Sequence, residues 1–507
     1  MGWEILDPII AILPDVKRPV QRQPLKKRLM WVGIALIIFF ILSQIPPIGM
    51  LTPQRLKEIQ VTDPAKYAQL SQEYSNVLQR VAFLENVQTV LASRLGTLGT
   101  LGIGPIVMAS IILQLLVGAE IIQMDKKRYM AATKIGGILF AFFEGAIYVW
   151  SGFLPIEPSG ISILPIPGIS GLFDLNAILV IGQIALGSII LLFLDEVVSK
   201  WGIGSGIGLF IVGGVSEVVV YRALHPFYGS IPSFINAIIN EGVLHLDIIA
   251  PLLATILVFL IVVYGEGMRI EIPLTLGRIR GVGGRFPLKL FYVSNIPVIL
   301  AAALFANIQL FANVLAQAGL PWLGRFGPNG QPLPVLSLSL DPSQFTIPIA
   351  WLVKAPYGVL SGWTAIQQNF INPAQTVLGV IPIELVHIIF YLAFMIGACI
   401  LFGMFWVETT GMGPKQVARQ LQSAGLSIPG FRRDPRVMER VMERYIPVIT
   451  VIGSAAVGGL AALADLTGAY GTGTGILLSV GILYRLYEEL MSAQLAEMHP
   501  ALKSFLG

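Results

Sequence analysis

Residues 176–211 read NAILVIGQIALGSIILLFLDEVVSKWGIGSGIGLFI. The run Asn176–Leu194 carries no charge, and it is long enough for a hydrocarbon core of about 30 Å, which takes roughly 20 apolar residues in a helix. A short segment with Asp195, Glu196 and Lys200 follows, and a second apolar run, Ile203–Val220, opens on Gly202, Gly204, Gly206 and Gly208. A span, a charged turn and another span are the pattern of a polytopic membrane protein. Outward from this pair, comparable runs are Leu29–Ile45, Leu101–Ala119 and Ile135–Trp150 before it. Ile248–Tyr264, Leu290–Val314, Val377–Trp406, Ile446–Ala464 and Thr472–Leu483 come after it, for ten spans in all.

Composition agrees. The chain has 507 residues, 55% hydrophobic and 12% charged, about half the charge of a soluble protein. Lipid must therefore stand in for water around most of the surface. A net charge of +4 excludes nucleic-acid binding as the main activity, so DNA is not an expected partner. Cys399 is the single cysteine, which rules out an intrachain disulfide and a cysteine-based metal site. The first 30 residues lack a signal peptide's short apolar core and cleavage site, so insertion is expected to rely on the spans themselves.

The basic residues orient the spans. With the N-terminus inside, 25 of the 33 Lys and Arg fall in segments facing the cytoplasm, as the positive-inside rule requires. Both termini are then cytoplasmic. Ten spans divide into five plus five, and an odd number per half makes any duplication an inverted one. No strong sequence repeat is visible, so that symmetry rests on the count. The expected halves are residues 1–240 and 241–507, with the polar segment Tyr221–Leu246 as the hinge. The run Trp3–Leu13 is too short to span and is expected to lie along the interface. Pro64–Val90 reads as a charged amphipathic helix in a long outer loop.

Enzyme chemistry finds no footing: the chain has no G-x-x-x-x-G-K-[ST], H-E-x-x-H or G-x-S-x-G motif. Intramembrane ionisable residues are few, with Glu144 in the third span and Glu384 near the start of the eighth. No chain of them forms a proton relay. His387, inside the eighth span, reads as a satisfied polar residue facing the bundle. The glycine clusters that open spans two, five and ten admit two readings: close helix packing, or irregular backbone lining a cavity. The long basic loops after spans six and eight also admit two: topology anchors, or a docking face for an anionic partner such as ribosomal RNA.

Four strings narrow these choices: RLGTLGTLGIGPIVMASIILQLLVG (94–118), LDEVVSKWGIGSGIGLFI (194–211), FYVSNIPVILAAALFANIQL (291–310) and GMFWVETTGMGPKQVARQLQ (403–422). In order and across both halves, the chain resembles the SecY family, the channel-forming subunit of the Sec protein translocon, in its archaeal and eukaryotic branch. The resemblance implies an all-α polytopic membrane protein: ten transmembrane helices in two inverted five-helix halves around a central pore, with a short plug helix. It implies a pore ring at Ile103, Val107, Ile207, Ile211, Ile299 and Leu478. A ring of flexible aliphatic side chains can dewet when empty and mould around a passing chain. The plug maps onto about Phe83–Leu95, with Phe83, Leu84, Val87, Val90 and Leu91 on one side.

The lateral gate would lie between spans two and three and spans seven and eight, with Glu144 and Asn295 at the seam. Met108 stands where relatives often carry a polar residue, so the gate's polar cluster is either weakened or uses Gln114. Ribosome docking would fall to loops 266–289 and 408–445, on Arg278, Arg280, Lys415, Arg419, Arg432 and Arg433. The implied partners are a SecE-type helix, a small third subunit, the ribosome, an unfolded polypeptide with its signal sequence, and lipid. No cofactor or enzymatic activity is expected, and the location is the plasma membrane. The outer loop Gly49–Arg80 is longer than the family leads one to expect. A secondary transporter of a small solute is the rival reading, because ten inverted spans allow it.

Overall fold

Backbone N–H and C=O groups cannot face hydrocarbon unpaired, so apolar runs of this length cross lipid as helices. A computed structural model describes residues 14–20, 23–62, 64–81, 88, 91–118, 121–122, 124–159, 161, 174–242, 245–276, 283–293, 296–327, 332–334, 346–371, 376–377, 381–423, 426–427 and 435–498. The ten spans are α1 (Leu25–Leu42), α4 (Gly104–Gly118), α5 (Lys126–Trp150), α6 (Leu175–Trp201), α7 (Gly206–Leu224), α9 (Leu246–Gly267), α10 (Ile296–Gln317), α13 (Ile383–Thr409), α15 (Pro435–Leu466) and α16 (Gly473–Met498). Between them lie α2 (Pro53–Thr62), α3 (Pro64–Val81), α8 (Ser230–Glu241), α11 (Ile349–Leu352), α12 (Trp363–Ile366) and α14 (Pro414–Ser423).

Among the described helices, seven are long and apolar enough to cross a membrane by themselves. The other three have identifiable reasons to differ. The helix α4 is short, α1 begins on Lys26, Lys27 and Arg28, and α16 ends in a charged half with Arg485, Glu488 and Glu489. Of the seven, α10 is the most enclosed and α9 the least, so α10 is the central column and α9 a peripheral one.

Four helix starts are displaced furthest from the hydropathy reading: α5 begins earlier, at Lys126 rather than Ile135, α15 begins earlier, at Pro435 rather than Ile446, and two begin later. The seventh span begins at Ile296 rather than Leu290, because residues 290–293 return from a strand. The eighth begins at Ile383 rather than Val377, since Pro382 bars the preceding residue from helical backbone. The segment expected to be a polar hinge contains α8 instead, closed by Gly242 in the left-handed conformation at φ +67°. The expected boundary at residue 240 therefore falls just inside a helix. The run Trp3–Leu13 lies outside the described residues.

The two long basic loops are joined. Strand β1 (Arg269–Leu276) pairs antiparallel with β2 (Gly283–Lys289), and its far end pairs with β7 (Leu426–Ser427) from the other loop. The short pairs β3–β4 (Arg325–Phe326 with Pro332–Leu333) and β5–β6 (Thr376–Val377 with Ile381–Pro382) belong to other loops. Below the three-stranded sheet, Ile272, Leu288, Val417, Leu421, Met438 and Met442 form a small apolar core of their own. The basic face is thus a folded platform and not two free loops.

The loop after α1 forms a helical hairpin, with Leu51, Leu56, Ile59 and Leu70 packed together. Arg55 and Lys66 reach Glu157 at 3.1 and 3.2 Å and tie the hairpin to the loop after α5. Burial pushes the Glu157 carboxyl up, but the two cations outweigh it and hold it below the ordinary carboxylate range. A depressed pKa stabilises above the unfolded value, and that stabilisation is lost as pH falls through the native value. Acidifying the medium should therefore loosen the hairpin, by the small amount expected of solvent-exposed ion pairs. Limited proteolysis of residues 53–81 would show it as faster cleavage, and Glu157→Gln should give the same faster cleavage at neutral pH.

Candidate functional site

The six ring candidates fall in or against one apolar cluster. Ile103 immediately precedes α4, Val107 lies in its first turn, Ile207 and Ile211 sit in the first turns of α7, Ile299 in α10 and Leu478 in α16. Ile103, Val107, Ile211 and Leu478 are buried members of one apolar cluster, and Ile207 and Ile299 pack against it. At these six positions, helices from both halves contribute only aliphatic side chains to the cluster. The segment expected to end the plug joins the same cluster through Leu91 and Ala92. Phe83, Leu84, Val87 and Val90 lie outside the described residues.

Contact between that segment and the ring is through backbone. The Ile103 amide donates to the Leu91 carbonyl at 2.9 Å. Gly102 makes this approach possible: its φ is +54°, and a Cβ there would sit 2.3 Å from the Leu91 oxygen and 2.7 Å from the Ala92 oxygen. Only glycine accepts both the conformation and the proximity. On the side of Leu91, Thr472 and Thr474, a cavity of about 410 Å³ opens, lined by Gln309, Lys354, Tyr391 and Asp465 among others. An apolar neck therefore meets a polar vestibule.

The gate candidates sit deeper than a seam would suggest. Gln114 is buried in α4, and its amide donates to Ser110 Oγ at 3.1 Å. Glu144 is buried in α5, and its Oε2 faces the Gly104 start of α4. Among the described residues, neither Gln114 Oε1 nor Glu144 Oε1 has a hydrogen-bond partner. Asn295 lies outside the described residues, and Met108 is half-buried. The helix α4 does touch both α10 and α13, and Phe143 of α5 meets Phe311 of α10 with ring centroids 6.4 Å apart. Reading by charge alone passed over a polar row inside α10: Asn307, Gln309 and Asn313 are all buried. Neutral amides in an otherwise apolar span were the available signal.

On the platform, Lys415 and Arg419 stand exposed on α14, whose Val417, Ala418 and Leu421 face inward. Lys415 lies 3.7 Å from Glu439. Arg278, Arg280, Arg432 and Arg433 lie outside the described residues. His387 is satisfied as expected: its ring stacks on Trp351 at 4.3 Å, and its Nε2 lies 2.9 Å from the Lys354 carbonyl oxygen.

Comparison with known proteins follows this geometry. The model of the family described as SecY matches residues 97–487. The protein translocase subunit SecY of Methanocaldococcus jannaschii is 42% identical over 508 residues, covering 99% of each chain. A solved structure of SecY, described as showing that its plug domain stabilises the closed state of the translocation channel and maintains a membrane seal, superposes with a TM-score of 0.75. It is 41% identical and covers 98% of this chain and 99% of that one. Sec61 in the canine ribosome-channel complex from the endoplasmic reticulum matches at TM-score 0.72 and 42% identity, covering 98% and 99%. The fold is therefore that of the ten-span channels, and the chain, a multi-pass membrane protein, belongs to the SecY family.

Proposed function

We propose that the chain is the channel subunit of a protein translocon in the plasma membrane. Unfolded secretory polypeptides cross its pore, and apolar segments leave sideways into lipid. The observation that carries this reading is the neck: six aliphatic side chains from both halves in one apolar cluster. A fixed polar filter would bind one solute, whereas a greasy ring admits any side chain and dewets between passengers. A small-solute transporter would need a polar binding site at the neck, where all six side chains are aliphatic.

In this reading Ile103, Val107, Ile207, Ile211, Ile299 and Leu478 form the ring, and Phe83, Leu84, Val87, Val90 and Leu91 belong to the plug. Gln114, Glu144 and Asn295 tune the gate between α4–α5 and α10–α13. The halves are residues 1–240 and 241–507, dividing at the end of α8, with both termini in the cytoplasm. A SecE-type helix and a small third subunit complete the assembly. The chain is not an enzyme; a partner such as the ribosome supplies the driving force, as the canine relative's association suggests. Lys415, Arg419, Arg278, Arg280, Arg432 and Arg433 would meet ribosomal RNA.

The test uses ribosome–nascent-chain complexes stalled in mid-translocation. A photoreactive residue in the nascent chain is expected to crosslink to Ile103 or Ile299. Reversing charge at Lys415 and Arg419 together should weaken ribosome binding about tenfold and lower its salt slope by about two. Solute uptake by proteoliposomes with no such crosslink would support the transporter instead.

A further inference from the structure

The starts of α7 and α16 are built alike. Each is preceded by a glycine with positive φ, Gly204 at +74° and Gly471 at +79°. A hydroxyl residue follows, Ser205 or Thr472, and then a second glycine pressed against the preceding span. A Cβ on Gly206 would lie 2.4 Å from Asp195 Cα, and one on Gly473 would lie 2.6 Å from the Asp465 amide nitrogen. Gly204-Ser205-Gly206 and Gly471-Thr472-Gly473 are thus a local repeat between the two halves, one that the overall sequence hides.

Each start also faces a carboxylate from the span before it. Asp195 of α6 accepts the Ile207 amide at 2.9 Å and the Ser205 hydroxyl at 3.2 Å. Ser205 makes no side-chain cap of its own, so Asp195 fills that role from outside the helix. Asp465 of α15 is buried and accepts the Gly473 amide at 2.7 Å. Its other oxygen accepts the Tyr391 hydroxyl of α13 at 2.8 Å. The first amides of a helix have no partner within it, and its N-terminus favours negative charge. A carboxylate there satisfies both. Ile207 is bonded directly, Ile211 lies one turn further on, and Leu478 lies a little over one turn into α16.

We propose that Asp195 and Asp465 are positioning residues for the constriction: paired carboxylate caps, one from each half, that fix the two pore helices and so hold Ile207, Ile211 and Leu478 in the closed ring. The proposal rests on the channel reading above. Each acts through the helix whose first turn it holds. Tyr391 adds a tie from a gate helix to the second cap, without being part of the cap itself.

The experiment uses the full complex in two assays, resting conductance in planar bilayers and amide hydrogen exchange over residues 203–211 and 471–478. Losing a cap is expected to shift local closure about tenfold, equivalent to about 1.4 kcal/mol. Asp195→Ala and Asp465→Ala should each speed exchange at the adjoining helix start about tenfold and raise resting conductance by a similar factor. Asp195→Asn keeps an accepting oxygen and should stay close to wild type in both assays. Tyr391→Phe leaves the Gly473 bond intact and should leave resting conductance unchanged. Should an alanine variant fail to accumulate, Asp195→Glu, whose extra methylene displaces the carboxylate, is expected to leak where Asp195→Asn does not. Unchanged exchange in the alanine variants, or equal leakage from Asn and Ala at position 195, would overturn the caps. If the wild-type complex yields no nascent-chain crosslink, the channel reading fails, while exchange at the two helix starts still decides the caps.

Discussion

Exchanging Ile207 and Ile211 together for asparagine is expected to turn a sealed resting channel into a leaking one. Ile211 is fully buried, and Ile207 packs against the same cluster. Burying an aliphatic side chain of this size contributes about 1.5–3 kcal/mol. A buried amide without partners costs about 1–3 kcal/mol. Both changes favour water in the neck, and the barrier to ions in such a neck is its dryness. Ion conductance of the idle complex in planar bilayers should rise about tenfold or more. Ile207→Leu with Ile211→Leu preserves volume and polarity and should keep the seal. Unchanged conductance in the asparagine double variant would remove both residues from the ring.

Gly102→Ala should have a comparable effect by a different route. The new Cβ meets two carbonyl oxygens, at 2.3 and 2.7 Å, and these are backbone atoms with no rotamer to escape into. Overpacking of this kind costs about 1–3 kcal/mol, and a non-glycine residue at φ +54° adds about 1–2 kcal/mol. Residues 91–92 are the side expected to yield, since they lie in no helix whereas Ile103 leads directly into α4. They should lift away from the neck. Cys399, the one native cysteine, is buried, so Ala92→Cys provides a clean probe for an impermeant maleimide. Labelling should be slow in the Ala92→Cys protein and about tenfold faster once Gly102→Ala is added. Equal rates would mean that the segment is not held through Gly102.

The spans were legible because a run of some 20 apolar residues is a local property, and the loops between spans declared themselves by charge. The ring was a different matter. Nothing in the composition separates Ile211 from any other isoleucine in a span, and family resemblance alone singled it out. Pairing of β1 with β7 was hidden, since β7 is two residues long and its partner lies about 150 positions away. Asp195 and Asp465 were passed over because both follow directly on the last apolar residue of a span. At that position a carboxylate reads as the edge of the membrane and not as a group turned back into the bundle. The helix α3 showed its amphipathic pattern, but the hairpin's tie to Glu157 crosses two spans and leaves no trace in local sequence.

The three-stranded sheet also sets a frame of reference for motion. Its strands continue into α9 and α10 on one side and into α14 and α15 on the other. All of these belong to the second half of the molecule. In the proposed channel, a partner seated on that sheet would grip these helices as a stator and leave the earlier ones as the rotor. Opening is then expected as a one-sided swing, with movement in the helices the partner does not touch.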